Sequence, residues 1–545
     1  AFIDAFGGTM VIGGEVLVDA GATAGLDTDT GVVGAAQAGM ATIAASGGSL
    51  QITGPARVGA NAGTPGGTPG AGDISGGVAQ VFASTGGTVV FDGDVSLEAS
   101  ARGQDGVNNL AGQSIFQALS GGGLTVAGDL SLDASAFASG SAATANAGIN
   151  QAGSADIFIE GAEIITVGGD VVLSANGYSG NSATGDGGDG IGGLARVLVQ
   201  NGGEFRVNGG VNLLAEGTGG DGINGGDGRG GFAQIFTNNG ALVDIGTFVV
   251  GRSSGTGGSG TAGSGGLGDG GFSEIVLDGL DTVGMDNVFL VSEGTGGSSE
   301  TGLDGEGLGG AARLTVQAGG TANVDTTFTA RASARGGNSG AGGANGTAGI
   351  AGAIVTAGTI SIGTNAISTA DGTGGDASSL TGAGNDGGDG TGGNAFLQAT
   401  GTLTDTATLT IGGDAAVSSV GAGGFGGLGD SGSIPAGRGG DGFGGSFATV
   451  NQADPNFNNG AFLLAGGDNG FLTGTGTSDV TAGGFGGNGG NGGFNQVGGD
   501  GGDGLGGTAQ VGSSLLVGDG SVGAGQVNLT DIVRVSTLSS GGSGG

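Results

Sequence analysis

Aspartates within glycine-rich tracts are the residues of this sequence best suited to hold a ligand. Six of them are candidate metal ligands: Asp186, Asp189, Asp386, Asp389, Asp500 and Asp503. Carboxylate oxygens and the carbonyl oxygens of a flexible glycine-rich backbone are the ligands that calcium prefers. The chemistry that these tracts predict is therefore binding of a hard divalent cation.

The tracts are similar to the calcium-binding nonapeptide Gly-Gly-x-Gly-x-Asp-x-U-x, where U is apolar. They depart from it because they have no tandem nine-residue register and usually no apolar residue two positions after the aspartate. A solvated acidic surface with only weak affinity for cations is the alternative interpretation. Calcium is thus the one cofactor that the sequence suggests.

Catalytic side chains are scarce. The sequence contains no histidine and no cysteine, so it lacks the commonest general base and the thiol nucleophile. A glycosidase or lyase could use carboxylates and arginine, but it would need them clustered on one face. The aspartates lie mostly in glycine tracts, where turn formation explains them. We predict that the chain is not an enzyme.

Charge and hydropathy limit the partners. The formal net charge is −37, from 48 acidic and 11 basic residues. This field repels nucleic acids and anionic membranes, because phosphate binding requires clustered basic residues. No apolar run approaches the ~20 residues of a membrane-spanning helix. We predict no nucleic-acid partner and no transmembrane segment.

A motif of a small residue, a polar residue and a branched apolar residue recurs along the chain. Neighbouring clear copies are 38 to 40 residues apart, a degenerate copy lies at Ile115-Phe116, and later copies are more widely spaced. The copies begin at Ala41, Ala79, Ala155, Ala195, Ala233, Ser273, Ala312, Ala395, Ala448 and Ala509. A fixed period of this length is typical of solenoids.

One clear unit shows three short strands. Residues 194–200, 204–207 and 211–215 are apolar-rich runs, separated by Asn201-Gly202-Gly203 and Asn208-Gly209-Gly210. Such runs bounded by Asn and Gly predict strands joined by tight turns. A glycine tract, residues 217–231, leads into the next unit.

Three short strands cannot bury a face alone, but stacked units can. Parallel pairing between equivalent strands gives ~4.8 Å per coil, so about a dozen coils make a rod of about 60 Å. We predict an all-β fold: one parallel β-helix over residues 1–545 with glycine-rich loops stacked on one side. Antiparallel hairpins packed in sandwiches are the alternative.

The glycine tracts allow two interpretations. They could be flexible linkers, because glycine loses the most entropy on ordering. They could instead be extended strands similar to polyproline II, because their local period is near three. Such strands would exchange backbone hydrogen bonds between successive coils.

The three-strand unit with Asn-Gly-Gly corners resembles the repeats of bacterial autotransporter and filamentous-haemagglutinin-like passenger domains. The resemblance covers essentially the whole chain, although the long glycine tracts depart from that family and no translocator barrel is visible. It implies a right-handed parallel β-helix displayed on the surface of a Gram-negative bacterium. We expect a segment of a longer secreted polypeptide.

The function expected from these features is structural or adhesive. A rigid rod could associate with itself end to end or side to side, and it could bind host or bacterial surface glycans. A carbohydrate-binding or carbohydrate-cleaving β-helix is the alternative, and it predicts a localised cleft of acidic residues and arginine.

Overall fold

The chain folds as a parallel β-helix, as a computed structural model shows. The structure describes residues 1–25, 34–64, 72–104, 106–139, 141–142, 146–377, 385–428, 435–445, 460–466, 469–491, 497–512, 514–516 and 522–544. Three long sheets are built from strands that pair in parallel with their counterparts in neighbouring coils. The predicted fold class is therefore confirmed.

Each coil has three core strands, which we call the first-, second- and third-position strands in chain order. The first-position strands of successive coils form a 13-stranded sheet. Alternate residues point inward, so Ala195, Val197 and Val199 are each 0% exposed, while Arg196 and Leu198 point outward. These strands are Phe2–Phe6, Met40–Ser46, Val78–Ser84, Gln113–Leu119, Ser154–Glu160, Leu194–Gln200, Phe232–Asn238, Phe272–Asp278, Ala311–Gln317, Ile350–Val355, Asn394–Thr400, Gly460–Gly466 and Ala509–Gly512.

The second and third strands of each coil belong to a larger parallel sheet. The second-position strands are Thr9–Ile12, Ser49–Ile52, Thr88–Phe91, Gly123–Val126, Ile164–Val167, Glu204–Val207, Gly320–Val324, Gly358–Ile362, Ala407–Ile411, Gly470–Gly474 and Gln526–Leu529. The third-position strands are Val16–Asp19, Ala56–Gly59, Val95–Glu98, Leu130–Asp133, Val171–Ser174, Val211–Leu214, Phe328–Arg331, Ala366–Thr369, Ala415–Ala422, Ser478–Phe485 and Val533–Ser540. In two coils both positions merge into one bent strand, Leu242–Arg252 and Thr282–Val291.

The glycine-rich tracts contain two further sets of short strands. Those that leave the third position are Ala22–Thr23, Ala62–Gly63, Ala101–Gln104, Ala136–Ser139, Gly177–Tyr178, Gly217–Thr218, Gly255–Thr256, Gly294–Thr295, Ala334–Arg335 and Gly372–Thr373. Those that return to the first position form a 12-stranded sheet: Ala36–Gln37, Ile74–Ser75, Asn109–Leu110, Asn150–Gln151, Gly190–Ile191, Gly228–Arg229, Gly268–Asp269, Gly307–Leu308, Gly346–Thr347, Gly390–Thr391, Gly442–Phe443 and Gly504–Leu505. Two small pairs complete the strands: Ser141–Ala142 with Asn181–Ser182, and Ser514–Leu516 with Val522–Ala524.

The register confirms most of the repeat copies and adds two that the motif missed. The degenerate copy pairs as expected, with Phe116 beside Val81. The copy predicted at Ala448 lies outside the described residues; the strand that pairs with Asn394–Thr400 is Gly460–Gly466. Ile350–Val355 is a copy that the motif missed, because Gly352 stands where other copies have a polar side chain. Loop length and a single glycine therefore obscured two coils.

The core is a continuous stack of apolar side chains inside the coils. Phe91, Phe116, Phe205 and Phe328 are its largest members and are each 0% exposed. Burying such a ring contributes about 1.5–3 kcal/mol. The corner after the first strand uses positive φ at Asn201 (57°) and Gly202 (85°), as the Asn-Gly-Gly sequence predicts. In the described part of the chain no helix is long and apolar enough to cross a membrane.

Candidate functional site: the glycine double layer

The glycine tracts build a flat extension beside the core. In the coils of residues 146–377, where the tracts are described throughout, the chain runs out from the third strand, turns, and runs back to the first strand. We call the two resulting sheets of backbone the outgoing layer and the returning layer, and together the glycine double layer. Single bridges align the outer edge of successive coils, joining Gly222, Gly260, Ser299, Ser339 and Ala377 in turn.

Backbone hydrogen bonds cross between the two layers and between coils. The amide of Gly226 in the returning layer donates to the carbonyl of Gly220 in the outgoing layer (2.8 Å), and Gly220 donates to Gly188 of the preceding coil (2.9 Å). Gly258 of the next coil donates to Gly226 (2.8 Å). The same zigzag continues through Gly266, Gly297, Gly305, Gly337, Ala344, Gly375, Gly388, Gly424, Gly440, Gly487 and Gly502.

Glycine occupies nearly every position of the zigzag where the described layers meet; at Ala344, which has a methyl group, the bond to Gly337 is longer, at 3.2 Å. A Cβ atom added at Gly220 would lie 1.8 Å from the carbonyl oxygen of Gly180, and one at Gly226 would lie 2.0 Å from that of Gly188. No side chain fits at these distances, so at these two positions only glycine lets the backbones approach closely enough to bond. Of the two interpretations that the sequence left open for the tracts, the exchange of backbone hydrogen bonds between coils is the one that the described tracts show.

Aspartate and asparagine side chains complete the hydrogen bonding within each layer. Oδ1 of Asp189 accepts from the amide of Asp227 in the next coil (2.9 Å), and Oδ1 of Asp227 accepts from Leu267 (3.0 Å). In the outgoing layer Asn181 accepts from Asp221 (2.8 Å), and Asp221 accepts from Ser259 (2.7 Å). Each carboxylate or amide therefore satisfies a backbone donor that the neighbouring coil leaves open.

The six predicted calcium ligands fall into two columns of the returning layer, three residues apart. One column contains Asp186, Asp386 and Asp500, and the other contains Asp189, Asp389 and Asp503, with other coils between them. Hydrogen bonds from the next coil already use Oδ1 of four of them, Asp186, Asp189, Asp386 and Asp389.

The C-terminal members of these columns surround an arginine. Arg438 lies between Asp386 and Asp500 in its column, and its Nη2 lies 2.6 Å from Oδ1 of Asp441 and 3.6 Å from Oδ2 of Asp503. Among the described residues no three acidic side chains gather into a group that could hold a metal ion. Calcium binding by the six aspartates therefore remains a prediction.

One coil places a carboxylate where its neighbours have glycine. Asp304 occupies the position of Gly265 and Gly343 in the returning layer, and its Oδ1 accepts from the amide of Ser299 across the double layer (2.9 Å). Burial raises the pKa of Asp304 to about 7, against hydrogen bonds from Ser299 and Ser339. A carboxyl group is thus held at a position where the adjacent coils have glycine.

A surface groove of about 280 Å³ lies at the corner between the third strand and the outgoing layer. Nη2 of Arg331 pairs with Oε1 of Glu293 at 2.9 Å, and Arg335 and Asp371 also line the groove. Burial raises the pKa of Asp371, against hydrogen bonds from Val420 and Ser418. This groove combines carboxylates with arginine.

The sequence pointed to the aspartates but missed their role as backbone acceptors. The sequence did contain a signal for this role. Asp and Asn recur three residues apart within a tract, and they recur about one coil apart from one tract to the next. Comparisons with protein-family models, with curated proteins and with solved structures found no significant match.

Proposed function

We propose that this chain is a structural and adhesive extracellular protein whose task is to form a rigid, elongated rod. The observation that carries the proposal is the glycine double layer. Its backbone hydrogen bonds run from coil to coil beside a continuous apolar core. Two parallel supports of this kind resist bending more than a core alone, and each coil contacts only its neighbours, as in other solenoids.

Display on a bacterial surface belongs to the same proposal. The resemblance of the three-strand unit to autotransporter-like passenger domains supports it, as does the acidic composition, which keeps a large extended particle soluble. The rod would then present its faces to neighbouring copies or to glycans. No step of catalysis is assigned.

Electron microscopy of the purified chain and of producing cells tests this proposal. We expect straight rods about 60 Å long, from thirteen coils at ~4.8 Å each, that assemble into fibres or sheets as the concentration rises. Antibodies against the chain should label intact cells. Flexible or compact particles, or labelling only after the cells are broken, would contradict the proposal.

Glycan binding is a second candidate function, and the groove beside Arg331 and Arg335 supports it. We expect Arg335→Ala to weaken binding of oligosaccharides that carry carboxylate groups, because the variant removes a cation from the groove. Arg206→Ala is the matched control, because the exposed side chain of Arg206 lies on a different strand, away from the groove. Equal binding by both variants on an array of acidic glycans would assign no glycan role to the groove.

A further inference from the structure

The outer face of the first-position sheet is patterned over five consecutive coils. Its strands run from Ser154–Glu160 to Ala311–Gln317 and pair without a shift in register. Their outward side chains therefore form straight columns along the rod. We call the outward side chains of these five strands the outer face.

The middle column of the outer face carries alternating charges. In order along the rod it contains Asp156, Arg196, Gln234, Glu274 and Arg313. Nε of Arg196 lies 3.1 Å from Oδ1 of Asp156, and Nε of Arg313 lies 2.6 Å from Oε1 of Glu274. The central residue, Gln234, is the only uncharged one, so each half of the column has one acid and one base.

Apolar columns lie on both sides of the charged one. On one side, the rings of Phe232 and Phe272 stack with their centroids 4.9 Å apart and are 47% and 42% exposed. On the other side, Phe158, Leu198, Phe236 and Val276 follow one another.

The same side of the sheet is covered further along the rod. In the later coils its outward side chains Phe396 and Phe462 are only 2% and 6% exposed, and Leu464 is 7% exposed. In the five-coil patch Phe232 and Phe272 are exposed. The column of Phe158, Leu198, Phe236 and Val276 is partly exposed. Exposed apolar side chains gathered beside polar and charged ones mark an interaction surface.

We propose that the outer face binds the outer face of a second copy of this chain, with the two rods antiparallel about a two-fold axis along the strand Phe232–Asn238. This deepens the proposed function and rests on it, because it names the face that joins neighbouring rods. Such an axis reverses the order of the coils and keeps each column opposite itself.

The charges then match at every position. Asp156 faces Arg313 of the other copy, Arg196 faces Glu274, and Gln234 faces Gln234. Every charge thus has an opposite charge beside it and another across the interface, and complementarity of this kind fixes orientation.

The flanking columns match as well. Phe232 faces its own counterpart, as does Phe236, and Leu198 faces Val276. At the edge, Glu160 faces Gln317, so no like charges are opposed.

Two rods that run in the same direction do not give matching side chains across the interface. An axis along the rod would turn the strands end for end. If it ran along the charged column, every charge would face its own counterpart, and if it ran midway between two columns, the charged column would lie opposite an apolar column. Asp156 would then face Phe158, and Arg196 would face Leu198, and burying charges against apolar groups is costly.

The area suits a reversible dimer. Five strands at ~4.8 Å and seven residues at ~3.3 Å cover about 550 Å² on each copy. Both copies together bury about 1,100 Å², which is at the lower end for specific interfaces. We expect micromolar affinity, with larger assemblies depending on further contacts.

Paired charge reversal tests the complementarity. The variant Asp156→Arg/Glu274→Arg makes the column positive, and Arg196→Glu/Arg313→Glu makes it negative. In sedimentation we expect each variant alone to dimerise at least tenfold more weakly than the unmodified chain, and an equimolar mixture to recover the affinity.

The charge-reversal experiment has two controls. Arg206→Glu, away from the outer face, should leave the affinity unchanged. Phe236→Gln changes no charge and should also weaken dimerisation. It tests the outer face even if the charge-reversal variants fail to fold because like charges lie next to one another in one column. A mixture that does not associate, or an unmodified chain that stays monomeric at high concentration, would overturn the proposal.

A cysteine crosslink tests the orientation, because the chain has no native cysteine. Gln234→Cys lies on the axis, so two copies should form a disulfide under mild oxidation. Gln80→Cys lies in the same column but four coils away and should not. Equal crosslinking of both variants would contradict the antiparallel arrangement. Fibres that assemble regardless of these variants would contradict the interface and leave the structural role standing.

Discussion

Single residues in this protein act mainly on backbone groups. The Asp and Asn side chains of the glycine double layer accept amide hydrogen bonds from the next coil, as Asp189 does from Asp227. Because aspartate and asparagine offer the same Oδ1 acceptor, the layer accepts either residue at these positions. The acidic composition is therefore partly a consequence of how the coils are joined.

Asp189 separates the acceptor role from the charge. We expect Asp189→Ala to lower the free energy of unfolding by about 1–2 kcal/mol, because the partly buried amide donor of Asp227 loses its partner. Asp189→Asn should cost much less, since it keeps the acceptor. Urea titration of the three proteins checks this, and equal losses for both variants would show that the charge itself matters.

Calcium dependence is tested at the same columns. If the predicted ligands bind the ion, calcium raises the thermal midpoint relative to chelator by mass action. We expect Asp389→Asn/Asp503→Asn to reduce that rise. A thermal midpoint that is the same with calcium and with chelator would contradict specific calcium binding by these aspartates.

Asp304 predicts a pH dependence. Its pKa in the folded chain is about 7, above the ordinary 3.8, so the folded state binds a proton that the unfolded state releases. Stability therefore falls as the pH rises through this interval. We expect Asp304→Gly to raise the urea midpoint more at pH 8 than at pH 5, with Asp304→Asn as the control for charge. A gain independent of pH would contradict this explanation.

At the scale of elements, the protein combines two kinds of parallel sheet. The three strands around the core use alternating inward apolar residues, whereas the glycine double layer has almost no side chains between its sheets. Packing of apolar side chains stabilises the first, and close backbone approach with hydrogen bonding stabilises the second. The two parts therefore respond differently to a change in side-chain volume. A smaller side chain destabilises the apolar core, whereas a larger one destabilises the glycine double layer.

Gly226→Ala tests the close approach. The added methyl group would lie 2.0 Å from the carbonyl oxygen of Gly188, so the layers must separate, and we expect a loss of about 1–3 kcal/mol. Gly13→Ala is the control, because nothing lies within 4 Å of its added Cβ. Hydrogen exchange of the Gly220 and Gly226 amides should accelerate only in the first variant. Similar stability of the two variants would contradict the packing.

At the scale of the whole molecule, the coils form a one-dimensional stack in which each contacts its neighbours. Stability is then approximately the sum of terms for single coils and for their interfaces. Damage in the middle should spread to adjacent coils but not to the ends.

Phe205→Ala makes such damage. Phe205 is 0% exposed, and removing a buried ring costs about 3–5 kcal/mol. We expect faster hydrogen exchange in the coils around Glu204–Val207 and unchanged exchange in Met40–Ser46, with a smaller effect for Phe205→Leu. Uniform acceleration along the chain would show a single cooperative unit instead.

The sequence by itself determined the local features: the coil of about 39 residues, the three strands, the glycine tracts and the Asn201 corner. Alternation, turn residues and period are properties of neighbouring residues, so they can be read along the chain. Only the tertiary structure decided the register of the coils with unequal loops, for example the pairing of Gly460–Gly466 with Asn394–Thr400. It also decided that Asp189 accepts from the next coil and that Asp156, Arg196, Glu274 and Arg313 form one column. These relations join residues about 40 positions apart, and a slip of one residue would turn every side chain to the other face.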